Sequence, residues 1–366
     1  VEAQDEWRLL RAAIIWGAAH FVIELGCSYA LTLRADRSSV AALGIQLFNL
    51  LAFGLQPVAG RITDRYAADR LAAVLGALLV AAGLCTTLNT AWGSFVLLGV
   101  GNAFFHVGAG SQCVRLSRGG AGALGLFIGP GAFGVTVGVG LARTATPIAP
   151  VLVAGALAVV VWAAASPSPA FALYNESPAR SHSVIRVVAL VGLLLVCIVI
   201  RSFVGLGYEF DWNVTATSAL ALALSMAFGK MCGGVIADRI GWVAASTSAI
   251  CLSVPLLCLG RTSVSAGLLG TALFQIPAGV TLVALVKLIP TRSAYAFGLG
   301  SAAVYGGLLL VQSSPTEWMY SVFGLTILSL LAVAGLVLVM RQLRRIGNAG
   351  RIDAARWRGS ERTISV

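Results

Sequence analysis

Residues 187–200 read VVALVGLLLVCIVI. These fourteen positions carry no charge, amide or proline. A water-facing helix would show a polar stripe with period 3.6, and a strand of a transmembrane barrel would alternate with period two. Neither pattern is present. The segment is apolar on every side, and a helix, which bonds its backbone groups internally, tolerates such surroundings. Extended to 186–208, it reaches the roughly 20 residues needed to cross a bilayer.

Working outward in both directions, the same reading gives twelve apolar segments: 11–32, 40–60, 71–90, 92–114, 120–142, 147–166, 186–208, 213–236, 242–260, 264–288, 294–312 and 318–340. Composition agrees. The 366 residues are 58% hydrophobic and 11% charged, with a mean hydropathy of +0.91. Soluble domains carry about 25% charged residues. This excludes an ordinary cytosolic enzyme, a disordered chain and a secreted disulfide scaffold. The expected fold class is an all-α polytopic membrane protein with 12 transmembrane helices. The acidic, polar opening VEAQDEWRLLR does not look like a cleavable leader, so the first span is expected to remain in the mature protein.

Charge sets the orientation. With both termini on one side, that side collects Arg8, Arg11, Arg61, Arg65, Arg70, Arg115, Arg118, Arg180, Arg186, Arg239, Lys287, Arg292 and seven arginines of the tail. The opposite side has Arg34, Arg37, Arg143 and Arg261. The positive-inside rule places both termini in the cytoplasm, and an odd span count would put the basic tail on the wrong side. The longest polar gap, 167–185, divides the spans six and six. The expected organisation is a six-helix bundle at 1–166, a cytoplasmic linker at 167–185, a second pseudo-symmetric six-helix bundle at 186–340 and a basic cytoplasmic tail at 341–366.

The halves share a loop signature. Gly60-x-x-x-Asp64-Arg65 follows the second span, and Gly234-x-x-x-Asp238-Arg239 follows the eighth. The offset is 174 residues, close to half the chain. Glycine lets two helix ends approach, and an Asp–Arg pair there can act as a conformational latch. Parallel repeats of this kind are typical of large carrier folds. In span number, linker position and paired loops the chain resembles the major facilitator superfamily. Further stretches resemble the fosmidomycin-resistance type of efflux carrier: AAHFVIELG with His20 and Glu24, GNAFFHVGAG with His106, and GALGLFIGPGAFG with Gly125, Gly129, Pro130 and Gly134. Glu24 and Val107 stand where that group has Asp and Pro. Tyr66, Ala67, Ala68 and Asp69 depart from the family loop after Arg65, which puts an unaltered first latch in doubt.

Charged residues inside a span cost about 2.5–3.5 kcal/mol on insertion scales, so they should line a cavity or pair. Glu24 lies near the middle of the first span, and His20, four residues earlier, shares its helical face. With His106 they form a candidate proton-coupling set, or alternatively a static hydrogen-bonded group that fixes helix packing. Arg201 either binds an anionic substrate, serves as counter-ion to Glu24, or snorkels outward. Asn102, Gln46, Gln275 and Tyr305 are candidate substrate contacts, with interhelical packing the competing role. Lys230 is expected to snorkel or to pair near Asp238. Gly129, Pro130 and Gly134 suggest a kinked helix that bends during transport.

The seven cysteines fall in apolar runs without a CxxC pair, and read as small buried hydrophobes. No metal, cofactor, nucleotide or nucleic-acid site is expected. Clustered catalytic groups are absent from the sequence, so an enzyme is not expected. The family resemblance implies a monomeric secondary transporter in a bacterial cytoplasmic membrane. It would exchange a small organic molecule, anionic in one reading, for protons in the efflux direction. Proton-linked uptake and a transport-incompetent relative acting as sensor or assembly factor are the alternatives.

Overall fold

The computed structural model describes residues 2–35, 41–86, 91–116, 119–166, 184–313 and 317–363. Most of the expected linker, 167–183, lies outside them. Among the described residues all regular structure is helical. In chain order the α-helices are α1 (Glu2–Ala35), α2 (Ala41–Asn49), α3 (Gln56–Arg65), α4 (Asp69–Cys85), α5 (Ala91–Leu116), α6 (Gly122–Arg143) and α7 (Ala149–Ala165). They continue with α8 (Val184–Gly207), α9 (Ala216–Ile240), α10 (Trp242–Gly260), α11 (Val264–Gln275), α12 (Pro277–Leu288), α13 (Ser293–Gln312) and α14 (Val322–Thr363).

Among the described residues, ten stretches are long and apolar enough to cross a membrane. The segments expected at 71–90 and 147–166 appear as α4 and α7, each 17 residues long. The chain is an integral, multi-pass membrane protein. Two of the expected spans are broken, and a proline explains each break. Pro57 has no N–H to give and its ring crowds the carbonyl four residues back. The chain answers with a π turn at Leu50–Gly54, where Leu55 N–H reaches the Leu50 oxygen at 3.0 Å. Pro277 likewise ends α11, and α12 starts with that proline in its first turn. Pro130, by contrast, sits within an unbroken α6. The last span does not stop at 340, because α14 runs on to Thr363.

The elements before residue 167 pack on one another, with α1 on α6 and α4 on α5 and α7. Those after 184 do the same, with α8 on α13 and α14, and α11 on α9 and α10. The groups meet mainly where α6 packs on α9 and α3 on α13, and α5 also touches α13 and α12 touches α6. Glycine is required where they touch. A Cβ on Gly60 would lie 2.3 Å from the Ala294 oxygen, and one on Gly234 would lie 2.2 Å from the Ala121 oxygen.

After Arg65 the chain leaves the helix for Tyr66, Ala67 and Ala68 before α4 begins. Ala67 takes a φ of +49°, and Gly241, 174 residues later, takes +96°. Both connections thus carry a positive φ at the equivalent position, one on glycine and one on alanine.

Candidate functional site

The site grows out of the contact between α1 and α6. Gly131, Gly134 and Gly138 leave room for α1 to press directly on the α6 backbone. His20 of α1 lies against that surface. Its Nδ1 donates to the Phe127 carbonyl oxygen at 2.8 Å, its ring stacks on Phe127 with centroids 4.7 Å apart, and Gly131 leaves the room it occupies. A Cβ at Gly131 would sit 2.3 Å from His20 Nε2. His106 comes from α5, where its Nδ1 donates to the Asn102 carbonyl oxygen at 2.8 Å. Carbonyl oxygens only accept, so both Nδ1 atoms carry their hydrogens and both Nε2 atoms turn inward.

Those two Nε2 atoms lie 2.8 Å apart. Glu24, one helical turn after His20, brings Oε1 to 3.2 Å from His106 Nε2 and 3.7 Å from His20 Nε2. Asn102 Nδ2 donates to the same Oε1 at 2.9 Å and fixes the carboxylate. His20, Glu24 and His106 are 6%, 7% and 5% exposed, and Trp16, Phe105 and Phe127 pack around them. The structure thus gathers a carboxylate and two imidazoles into one buried cluster, with 86 positions of sequence separating the histidines. In this low-dielectric setting, three acceptor atoms facing each other repel unless a positive charge lies between them.

The remaining candidates are more dispersed. Arg201 is buried on α8. One guanidinium nitrogen donates to the Phe274 carbonyl at 3.1 Å, the group lies over the Phe274 ring, and Nε has no hydrogen-bond partner. Glu24 is partnered by the histidines and Asn102, not by Arg201. Gln275 is half-buried next to Gly205 of the same region. Tyr305 is buried beside Gly54, at the π turn. Gln46 is exposed and donates to Gln312 Oε1 at 3.1 Å. Lys230, read from sequence as turned toward Asp238 or the surface, is half-buried on α9. Asp238 has other partners.

The two signature loops use their aspartates in the same way, but not through an Asp–Arg pair. Asp64 accepts the backbone N–H groups of Ala294 at 3.1 Å and Tyr295 at 2.8 Å, at the start of α13. Asp238 accepts those of Ala121 at 2.8 Å and Gly122 at 2.8 Å, at the start of α6, and also Trp242 Nε1 at 2.8 Å. Each carboxylate from one group of helices thus caps a helix of the other group. An anion at a helix N-terminus satisfies orphan N–H donors and faces the positive end of the dipole. Arg65 lies beside the Tyr66 ring. Sequence reading missed a further group here. Asp69, buried at 3% exposure, forms an ion pair with Arg115 and accepts from Ser111 Oγ at 2.7 Å. On the other side Lys287 Nζ lies 4.6 Å from the Trp242 ring centre. The spacing of Asp69 from Arg115 gives no hint of this pair.

Known structures share this architecture. The fucose:proton symporter FucP of E. coli, in a single-substitution form, superposes with a TM-score of 0.64 at 16% identity, over 91% of this chain and 99% of its own. The human organic anion transporter MFSD10 gives 0.61 at 16% identity, over 90% and 99%. An outward-facing bacterial homologue of the iron transporter ferroportin gives 0.57 at 11% identity, over 93% and 99%. No protein-family model matches the chain, and comparison with curated proteins gives no match. At these identities the likeness is one of fold alone, the fold of FucP, itself a major facilitator superfamily transporter.

Proposed function

We propose that this chain is a secondary active transporter working by alternating access. In this reading twelve spans form two six-helix bundles, 1–166 and 186–340. The cytoplasmic linker 167–185 joins them, the basic tail 341–366 follows, and both termini are cytoplasmic. The membrane is the bacterial cytoplasmic membrane, and the working unit is a monomer. The observation that carries the reading is the buried meeting of Glu24, His20 and His106 inside this fold. Such a cluster takes up and releases a cation, in the simplest case a proton, as the site opens to each side in turn. Intramembrane ionisable groups of this kind mark ion pathways.

Arg201, Lys230 and Gln275 supply the substrate side. The buried Arg201 and the half-buried Lys230 favour a small organic anion, and the unpartnered Arg201 Nε offers a donor. Asn102 belongs to the coupling side through its bond to Glu24, while Tyr305 lies by Gly54 of the π turn and Gln46 of α2 bonds Gln312 of α13. The Asp64 and Asp238 contacts hold the basic-loop end shut. Resemblance to the fosmidomycin-resistance carriers favours efflux by antiport.

The test is a toxicity panel in cells lacking their own efflux pumps. Wild type and Glu24→Gln are expressed at matched membrane levels, with phosphonates and other small anionic antibiotics. Gln keeps the shape and the acceptor for Asn102 but not the charge. Wild type should protect and Glu24→Gln should lose at least ten-fold of that protection. Sensitisation would establish uptake instead. Protection undiminished in Glu24→Gln would remove the coupling role. No effect of either protein on any compound would favour the transport-incompetent alternative.

A further inference from the structure

We infer that His20, Glu24 and His106 form a binding site for a divalent first-row transition-metal ion of the Zn2+ class. This departs from the expectation of no metal and deepens the proposed function, since it rests on the reading of the triad as the carrier's cation site and names the cation. The first argument is the identity of the donors. Two imidazole nitrogens and one carboxylate oxygen suit Zn2+ and its neighbours. Mg2+ and Ca2+ ask for six or more oxygens. The second is direction. Each histidine spends its Nδ1–H on a backbone carbonyl, Phe127 for His20 and Asn102 for His106, so each Nε2 keeps its lone pair free, and the two Nε2 atoms lie 2.8 Å apart. Metal-binding histidines are held by such outer partners, and the Asn102 bond holds the carboxylate likewise.

The third argument is distance. The three donor atoms are 2.8, 3.2 and 3.7 Å apart. The circle through three points so spaced has a radius of about 1.9 Å. Zinc bonds to nitrogen and oxygen at about 2.0–2.2 Å. One ion therefore reaches all three donors at bonding distance while lying about 1 Å or less out of their plane, with no movement of a side chain. Three protein donors leave at least one position open, as an ion in transit needs. The surrounding Trp16, Phe105 and Phe127 supply no competing charge.

Tag-free full-length protein in detergent would be titrated calorimetrically with ZnCl2, and with CoCl2 followed by visible absorption. The expected result is one ion per chain that Glu24→Gln and His106→Gln each weaken at least ten-fold. The Co2+ bands should change shape in both variants. Cys27→Ser, which alters the thiol beside Asn102 but no donor atom, should bind as wild type does. Size-exclusion profiles and melting curves matched to wild type would show that a variant's loss is not unfolding, and Glu24→Gln serves where His106→Gln fails to fold. Absence of stoichiometric binding, or binding unchanged in both triad variants, overturns the inference. Glu24-dependent transport that persists in chelator, together with no Zn2+ binding, removes the metal and leaves the proposed function standing. Triad-dependent Zn2+ binding without any transport removes the proposed function and leaves the site.

Discussion

Single side chains at the site are held by groups that carry no functional signature of their own. Gly131 is the clearest case, because His20 occupies the space where its side chain would be. Gly131→Ala should push the imidazole away from His106 at a folding cost of about 1–3 kcal/mol, the usual range for overpacking. Flux driven by a pH gradient should fall about ten-fold, while exchange without a gradient falls less. Measuring both in proteoliposomes decides it, and equal losses would mean that Gly131 serves packing alone. Arg201→Ala tests the other side. A hydrogen bond to a charged group is worth about 1.5–3 kcal/mol. An anionic substrate should therefore lose roughly ten- to a hundred-fold in apparent affinity, and a neutral one little; competition binding with both kinds of compound separates these outcomes. The i, i+4 pairing of His20 with Glu24 was legible in the sequence. His106 groups with them as a titratable intramembrane residue, but its Nε2 contact with His20 and the Asn102 bond to Glu24 were not legible. They depend on how α1, α5 and α6 rotate about their axes, and segments apolar on all sides leave that rotation unmarked.

At the scale of elements, the apolar runs announced themselves and the prolines explained where helices break, but the caps were hidden. Asp64 and Asp238 were visible as a repeat, yet their partners are backbone N–H groups, which every residue but proline possesses. The turn after each signature carries a positive φ at the equivalent position, one on alanine and one on glycine. Ala67 holds a positive φ that its Cβ disfavours by about 1–2 kcal/mol, and glycine there would give back about 0.5–1 kcal/mol in chain entropy. Ala67→Gly should thus stabilise by up to about 1 kcal/mol and raise the melting temperature slightly. Gly241→Ala should do the opposite and more strongly, because φ +96° with ψ 138° is essentially glycine territory. Thermal melts of the two purified variants check the pair. A destabilised Ala67→Gly would show that the first turn is not strained.

For the whole molecule, the proposed alternating access would make one transition out of the two distant crossed caps. Asp64 belongs to the first group of helices and grips α13 of the second; Asp238 belongs to the second and grips α6 of the first. If the halves rock as rigid bodies, neither contact can open without straining the other. Asparagine at either position removes the charge facing the helix dipole and sets an NH2 group against a backbone N–H. A loss of about 1 kcal/mol each is a conservative expectation. That corresponds to about five-fold more of the open form per substitution. The two sites share no partner, so their effects on one shared equilibrium should add in free energy, and Asp64→Asn with Asp238→Asn should give roughly thirty-fold. Distances between spin labels on the basic-loop ends of α3 and α13, and of α9 and α6, would report this directly. Both pairs should separate together in either single variant. If Asp64→Asn opens only the α3–α13 seam and leaves α9 against α6, the halves do not move as units, and the repeat is an echo of duplication without a shared switch.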